Sequence, residues 1–262
     1  MRACAAWESR ANPAMRAACM NFVERANADG PARGARSGWD WPEGSLLGSL
    51  NRHARDQLLR LGTLVQYPGP SRILIRQGEQ SRFVFVILDG VVKVTGQANG
   101  GRDALLAIRM GGDIVGEFAA LDAGPRSATV TTCGALVARI IKSGDFLECL
   151  RRDPDILHAV NRSIVAKTRT SNARRLDFSS CDVPTRLARV LYEIAVTYGS
   201  RAGNRAVIRW PLTQPELASL AGGAEPTVHR ALRELREGGV VSTGYRTITV
   251  LDIDKLHRIA YP

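Results

Sequence analysis

The sequence predicts an α+β chain in three consecutive parts: a set of short strands, one long helix, and a small helical unit ending in a two-stranded wing. Three observations carry this. Between Ile73 and Ile141, apolar runs of strand length are punctuated by glycine turns, the pattern of a β-sandwich or β-roll. From Asp153-Pro154 the apolar spacing becomes helical and continues to about Ser180. From Thr213 to Gly239 two shorter helical patterns meet at Gly222-Gly223, and Val240 to Asp252 reads as a hairpin.

Each element has a local reason. Residues 1–44 are rich in Ala, Arg, Gly and Asn with little periodicity, and Asp29 to Gly38 can bury little apolar surface. A disordered tail is expected there, with Met15 and Met20 as further candidate starts. A helix from Ser45 to Leu61 follows, with Leu46, Leu47, Leu50, Leu58 and Leu61 on its apolar side. Ile73-Leu74-Ile75 is a strand closed by the turn Gln77-Gly78-Glu79-Gln80. Phe83 to Leu88 joins Val91-Val92-Lys93-Val94 through Asp89-Gly90, a strong two-residue hairpin signal. The loop Gly96 to Gly101, the strand Ala104 to Met110, the turn Gly111-Gly112-Asp113 and the strands Ser127 to Thr132 and Leu136 to Ile141 complete the set. After the long helix, Asp182-Val183-Pro184 opens another over Thr185 to Tyr198, and Arg205 to Arg209 is a small strand. No internal repeat is evident. The expected division is a tail (1–44), a roll (45–152), the long helix (153–182) and a winged-helix unit (183–262).

Composition narrows the function. The 262 residues are 45% hydrophobic and 23% charged, an ordinary globular balance, but the formal net charge is +11. That surplus favours a polyanionic partner, nucleic acid or an anionic membrane surface. No apolar run approaches the roughly 20 residues that span a bilayer. Met1 to Cys19 holds no apolar stretch suited to a signal peptide, so a cytoplasmic location is expected. The five cysteines (Cys4, Cys19, Cys133, Cys149, Cys181) form no C-x-x-C pair, and the four histidines are dispersed. Neither a metal site nor a disulfide framework is indicated. With no nucleophile–base pair in view, an enzyme is not expected.

The most informative segment runs from Gly116 to Val130, Gly-Glu-Phe-Ala-Ala-Leu-Asp-Ala-Gly-Pro-Arg-Ser-Ala-Thr-Val. It presents a carboxylate (Glu117), a guanidinium (Arg126) and a hydroxyl (Ser127) on a loop between strands. An arginine beside strand-start N–H groups suits a phosphate, and a carboxylate can accept from a ribose hydroxyl. The residues alone also allow a surface Glu–Arg ion pair. The segment resembles the phosphate-binding cassette of cyclic-nucleotide-binding domains, in its halves Gly116-Glu117-Phe118-Ala119 and Pro125-Arg126-Ser127-Ala128-Thr129-Val130. Phe85 to Val94 and Gly112 to Glu117 resemble that family's hairpin and its approach to the cassette. The resemblance implies that Arg126 and Ser127 hold a cyclic phosphate, that Glu117 binds the ribose 2′-OH, and that Gly116 and Phe118 complete the site.

In the long helix, Leu157, Val160 and Ile164 form an apolar stripe whose continuation, Thr168, Ser171, Arg175 and Phe178, is polar in its middle. A coiled-coil seam prefers apolar residues there, and an ordinary amphipathic core helix is also open. Further on, Thr213-Gln214-Pro215-Glu216 is a capping box, with Leu217, Ala218 and Leu220 on one apolar face. A second helix begins at Glu225-Pro226 and runs through Val228, Leu232 and Leu235 to Gly238-Gly239. The small residues Ala218 and Gly222 suit the close crossing of a helix-turn-helix. Between Arg162 and Arg209 stand ten Lys or Arg against Asp177, Asp182 and Glu193, a basic flank.

Taken from about Leu46 to Asp252, the chain resembles the catabolite-activator (Crp–Fnr) family. The resemblance implies a homodimeric transcription regulator: a cyclic-nucleotide-binding β-roll (a double-stranded β-helix), a dimerisation helix and a C-terminal winged helix-turn-helix. Its implied partners are double-stranded DNA with a palindromic operator, a second copy of the chain, and RNA polymerase. Aligned from Asp182-Val183-x-x-Arg186, Ser171 and Asn172 fall where the family contacts the base. Asn172 departs from the family's hydroxyl, its amide offering both donor and acceptor. Cyclic AMP is the first candidate effector; cyclic GMP, a cyclic dinucleotide or no ligand are alternatives. Leu212 to Val250 resembles the family's winged helix, which places Arg230 on a guanine. Thr213, Glu225, Thr227, His229 and Arg233 are further candidate DNA contacts. Glu225-Pro226 replaces an Arg–Glu pair, so the DNA site should differ from the catabolite activator's. A nucleotide-binding regulatory subunit of an enzyme or channel is the rival class, against which the basic helical unit weighs.

Overall fold

The computed structural model describes residues 41–97, 103–209, 213–245 and 247–262. Residues 1–40 of the expected tail, and 98–102 of the expected glycine loop, lie outside them. Residues 41–44 of that tail belong to the folded unit: Trp41 is buried and its indole N–H donates to Leu88 O at 2.8 Å.

The expected helix from Ser45 to Leu61 is two helices, α1 (Leu46–Ser49) and α2 (Arg52–Arg60). Leu50 between them is extended, and the Ser45 and Asn51 side chains accept from Gly48 N and Ala54 N. Two capping side chains six residues apart thus define two helix starts where apolar spacing suggested one.

The roll consists of two four-stranded antiparallel sheets. One has the order β1 (Thr63–Tyr67), β8 (Leu136–Lys142), β3 (Phe83–Asp89), β6 (Ile114–Val115); the other β2 (Ile73–Ile75), β7 (Thr129–Thr132), β4 (Val91–Gln97), β5 (Asp103–Met110). Val84 pairs with Ile141 and Val94 with Val130. Leu74, Ile75, Phe85, Ile87, Val92, Val130 and Leu136 fill the space between the sheets. The strand β1 was not anticipated; it is an edge strand whose residues are exposed or half-buried, so its apolar pattern is weak. A helix α3 (Glu117–Asp122) lies between β6 and β7, and α4 (Ser143–Arg152) follows β8.

The long helix α5 (Pro154–Ser180) starts on Asp153, whose carboxylate accepts from Asp155 N and Ile156 N. Here the seam reading needs correction. Val160 is completely buried inside its own chain, with Ile156 and Ala159, because the first half of α5 packs on α1, α2 and α4. The exposed large apolar residues of α5 are Val165, Leu176 and Phe178, of which only Phe178 belongs to the expected stripe.

After α5 come α6 (Val183–Tyr198), capped by Asp182, then α7 (Gln214–Ala221) and α8 (Glu225–Glu237). A four-stranded antiparallel sheet of order β11 (Val241–Gly244), β12 (Thr247–Val250), β10 (Arg205–Arg209), β9 (Ser200–Ala202) forms the wing. The chain continues past the expected hairpin into α9 (Ile253–Ala260), capped by Asp252 and packed on α6. One apolar cluster joins α6, α7, α8, the wing and α9 to Leu105, Ile108 and Met110 of β5. The fold is therefore α+β: a β-roll, a long helix and a winged helix-turn-helix.

Candidate ligand pocket and nucleic-acid interface

Gly116, Glu117, Phe118, Arg126, Ser127, Ser171 and Asn172 all line one cavity of about 350 Å³. Its walls are the cassette, strands β4 and β5, and the middle of α5. Gly116 has φ 86° at the start of α3, and a Cβ there would stand 2.7 Å from Arg126 Nη1. Glycine is needed both for that left-handed backbone and for the arginine's approach.

Arg126 is only 3% exposed. It donates Nε to Ser81 Oγ (2.9 Å), Nη1 to Gly116 O (2.8 Å) and Nη2 to Phe83 O (2.6 Å), with its guanidinium 4.7 Å from the Phe83 ring centroid. Burial lowers its pKa, while Glu79 and Glu117 oppose that shift. Of its five N–H donors, three thus tie the cassette to Ser81 and to β3.

Glu117 is 4% exposed, and its Oε1 accepts from Lys167 Nζ at 2.7 Å. The same ammonium donates to Ile114 O at 2.7 Å. Lys167 was not anticipated. It stands four residues before Ser171, hence on the same helix face, and that spacing was the available signal. Two further lining residues also escaped notice, Arg109 on β5 and Arg174 on α5. Arg109 donates Nη1 to Ile108 O at 2.7 Å, and the Tyr198 hydroxyl donates to Asp113 Oδ2 at 2.7 Å. Burial works to lower the Arg109 pKa, but Tyr198, Asp113 and Glu117 outweigh it and the net shift is upward. Burial raises the Tyr198 pKa, and the Asp113 charge adds to the rise. Arg174 donates to Leu106 O at 2.8 Å and pairs with Glu193 at 3.3 Å, while its buried Nε has no acceptor. Among the described residues, no group of three or more His, Cys, Asp or Glu is placed to hold a metal ion.

In the helix-turn-helix, Gly222 ends α7 with φ 65°. A Cβ there would collide with the Phe178 ring, which lies against the turn from α5. Arg186 of α6 donates to Ala221 O (2.9 Å) and Gly222 O (2.7 Å), closing the carbonyl end of α7. Val228, Ala231, Leu232 and Leu235 are the buried face of α8. Glu225, His229, Arg230 and Arg233 are exposed, at successive steps of four, one and three residues, so α8 presents them on one free side; Thr227 is half-buried. Arg230 and Arg233 make only long, exposed pairs with Glu234 (4.0 Å) and Glu237 (3.7 Å). Thr213 caps α7, and both its N–H and its hydroxyl donate to Glu216. Glu216 in turn accepts from Lys93 of β4 at 2.6 Å, so the first helix of the pair touches the roll.

Comparison with known proteins agrees with this geometry. A family model described as a cyclic nucleotide-binding domain matches residues 67–153, and one described as a Crp-like helix-turn-helix domain matches residues 185–259. The CRP-like cAMP-activated global transcriptional regulator of Mycobacterium tuberculosis is 29% identical over 184 residues, 70% of this chain and 82% of that protein. The cyclic AMP receptor protein of Thermus thermophilus is 29% identical over 185 residues, 71% of this chain and 82% of that one. The structure of FixK2 from Bradyrhizobium japonicum shares the fold, with a TM-score of 0.66 at 19% identity, covering 77% of this chain and 98% of FixK2. Fold, cassette and helix-turn-helix together define a DNA-binding transcription regulator with a cyclic-nucleotide-binding domain. The chain belongs to the Crp–Fnr family. Among the described residues, no helix is long and apolar enough to cross a membrane.

Proposed function

We propose that two copies of this chain pair along α5, bind one cyclic nucleotide per cavity, cyclic AMP first among the candidates, and bind a palindromic operator more tightly when the cavities are filled. The observation that carries this is the single cavity shared by the cassette and α5. One ligand there can touch Arg126 and Ser127 with its phosphate, Glu117 with its ribose, and Ser171 and Asn172 with its base. The relatives named for cyclic AMP support the choice of nucleotide. On α5, the exposed Val165 and Leu176 lie with Thr168 and Asn172 on the outward side, the natural place for a second copy. On α8, Arg230 reads guanine, with Glu225, His229 and Arg233 beside it and Thr213 and Thr227 near the helix starts.

A second reading, a guanine-bearing ligand such as cyclic GMP or a cyclic dinucleotide, draws on Arg174. Arginine is the usual partner of guanine O6 and N7, whereas asparagine suits adenine, and Arg174 and Asn172 share the cavity wall. Calorimetric titration with cyclic AMP, cyclic GMP and cyclic dinucleotides separates the two. Saturable heat with cyclic AMP at the lowest concentration supports the first reading, and tightest binding of a guanine ligand supports the second. No saturable heat with any of them refutes both.

A further inference from the structure

Two of the arginines that line the cavity reach out of it to α6, the first helix of the unit that carries the helix-turn-helix. Arg109 is coupled electrostatically to Tyr198, the last residue of α6, and to Asp113, to whose Oδ2 the Tyr198 hydroxyl donates at 2.7 Å. Arg174 holds Glu193, in the body of α6, and with its other terminal nitrogen the Leu106 carbonyl of β5. Neither Tyr198 nor Glu193 lines the cavity. β5 is itself two-sided: Leu106, Ala107 and Arg109 line the cavity, while Leu105, Ile108 and Met110 belong to the apolar cluster of α6, α7 and α8. The Leu105 N–H also donates to Ser219 Oγ of α7 at 3.0 Å.

We propose that Tyr198 and Glu193 are positioning residues through which cavity occupancy reaches the helix-turn-helix within a single chain, by way of Arg109 and Arg174. This rests on the reading that the cavity binds a cyclic nucleotide which alters DNA binding. The chemistry is competition for donors. A phosphate oxygen or base acceptor in the cavity draws on the guanidinium that holds Glu193 and on the charge of Arg109 that faces Tyr198 and Asp113. The buried Arg174 Nε, which has no acceptor among the described residues, gives that side chain a reason to turn toward the ligand. When either arginine turns, α6 loses a link to β5 or to α5, and α7 and α8 follow because they share its core.

The test uses the full chain carrying Tyr198→Phe together with Glu193→Gln, which removes one hydroxyl and one charge and keeps both side-chain shapes. Calorimetry gives the dissociation constant for cyclic AMP and for cyclic GMP. Binding to a duplex selected by the parent from random sequence, with and without saturating nucleotide, gives the ligand response. For the parent a response within about 5–150-fold is expected, the usual range of allosteric coupling. For the variant the response should fall to within about twofold of none, with nucleotide affinity within about threefold of the parent's. A merely structural role would lower thermal stability and leave the response intact, so an unchanged response overturns the proposal. So does a response lost only because nucleotide no longer binds. A parent that takes up nucleotide without any change in DNA affinity overturns the switch reading and this coupling with it. An equally responsive variant beside a responsive parent overturns the coupling alone.

Discussion

In the proposed function Arg126 performs two tasks with one planar group, and this separates it from a simple phosphate anchor. Three of its donors close the cassette by binding Ser81, Gly116 and Phe83. Arg126→Lys keeps a charge but cannot serve both carbonyls in that fork geometry. At least one buried carbonyl then goes unpaired, so the ligand-free protein should lose ~1–3 kcal/mol of stability besides its nucleotide affinity. Urea unfolding without ligand measures the first loss, and an unchanged midpoint would contradict the closing role. Lys167 makes a second case. Glu117 is buried beside it, so Lys167→Met strands a carboxylate and should cost ~3–5 kcal/mol. The Lys167→Met, Glu117→Gln double variant should recover much of that, and equal instability of single and double variants would refute the pairing. Glu117 and Arg126 were legible because the cassette is a contiguous stretch whose residue types and spacing carry its chemistry. Lys167, Arg109 and Arg174 were not, because each acquires its role only once α5 and β5 lie against that stretch.

Helix ends decide much at the next scale. The Asp182 carboxylate accepts from Thr185 N at 3.0 Å and starts α6. Hydrogen bonds from the Thr185 side chain and backbone hold its carboxyl below the ordinary range. Burial pushes Glu216 up, but hydrogen bonds from Lys93 and Thr213 outweigh it and the net shift is downward. A carboxyl whose folded pKa lies below its unfolded value, about 4, makes its full contribution above that value. The contribution disappears as pH falls through the folded pKa, since the unfolded chain binds the proton first. Asp182→Asn keeps a competent cap that cannot titrate. Its unfolding midpoint should therefore fall less steeply than the parent's between about pH 5 and pH 3; coincident acid limbs would remove Asp182 from the account. Caps also explain which elements could be read in advance. Asp153-Pro154, Asp182-Val183-Pro184 and the Thr213–Glu216 box announced α5, α6 and α7, and each begins there. α4 has no side-chain cap on Lys142, and its start was missed. α9 has a good cap in Asp252, but in the sequence that residue reads equally as the end of the wing hairpin.

For the whole molecule, a surplus of 11 positive charges ensures attraction to any DNA, and so explains affinity better than selectivity. In the proposed function selectivity comes from α8, where the exposed face mixes Glu225 with His229, Arg230 and Arg233. The symmetry of the proposed dimer then constrains the site. A two-fold pair of α8 helices demands inverted half-sites, with centres roughly 34–36 Å apart if they face one turn of B-DNA. Arg230 is the one to test, because its exposed 4.0 Å pair with Glu234 is too weak to hold it from a base. If it grips guanine with both terminal nitrogens, Arg230→Ala costs about 1–3 kcal/mol at the preferred duplex and flattens preference at one base pair per half-site. Arg233, if it meets only phosphate, behaves otherwise: Arg233→Ala weakens all duplexes alike and lowers the salt slope by about one unit. Selection from random duplex followed by titration at two salt concentrations, for the parent and both variants, tells the roles apart. Uniform weakening in Arg230→Ala with base preference intact makes Arg230 a backbone contact. The sequence reader would then have to be among Glu225, His229 and Arg233.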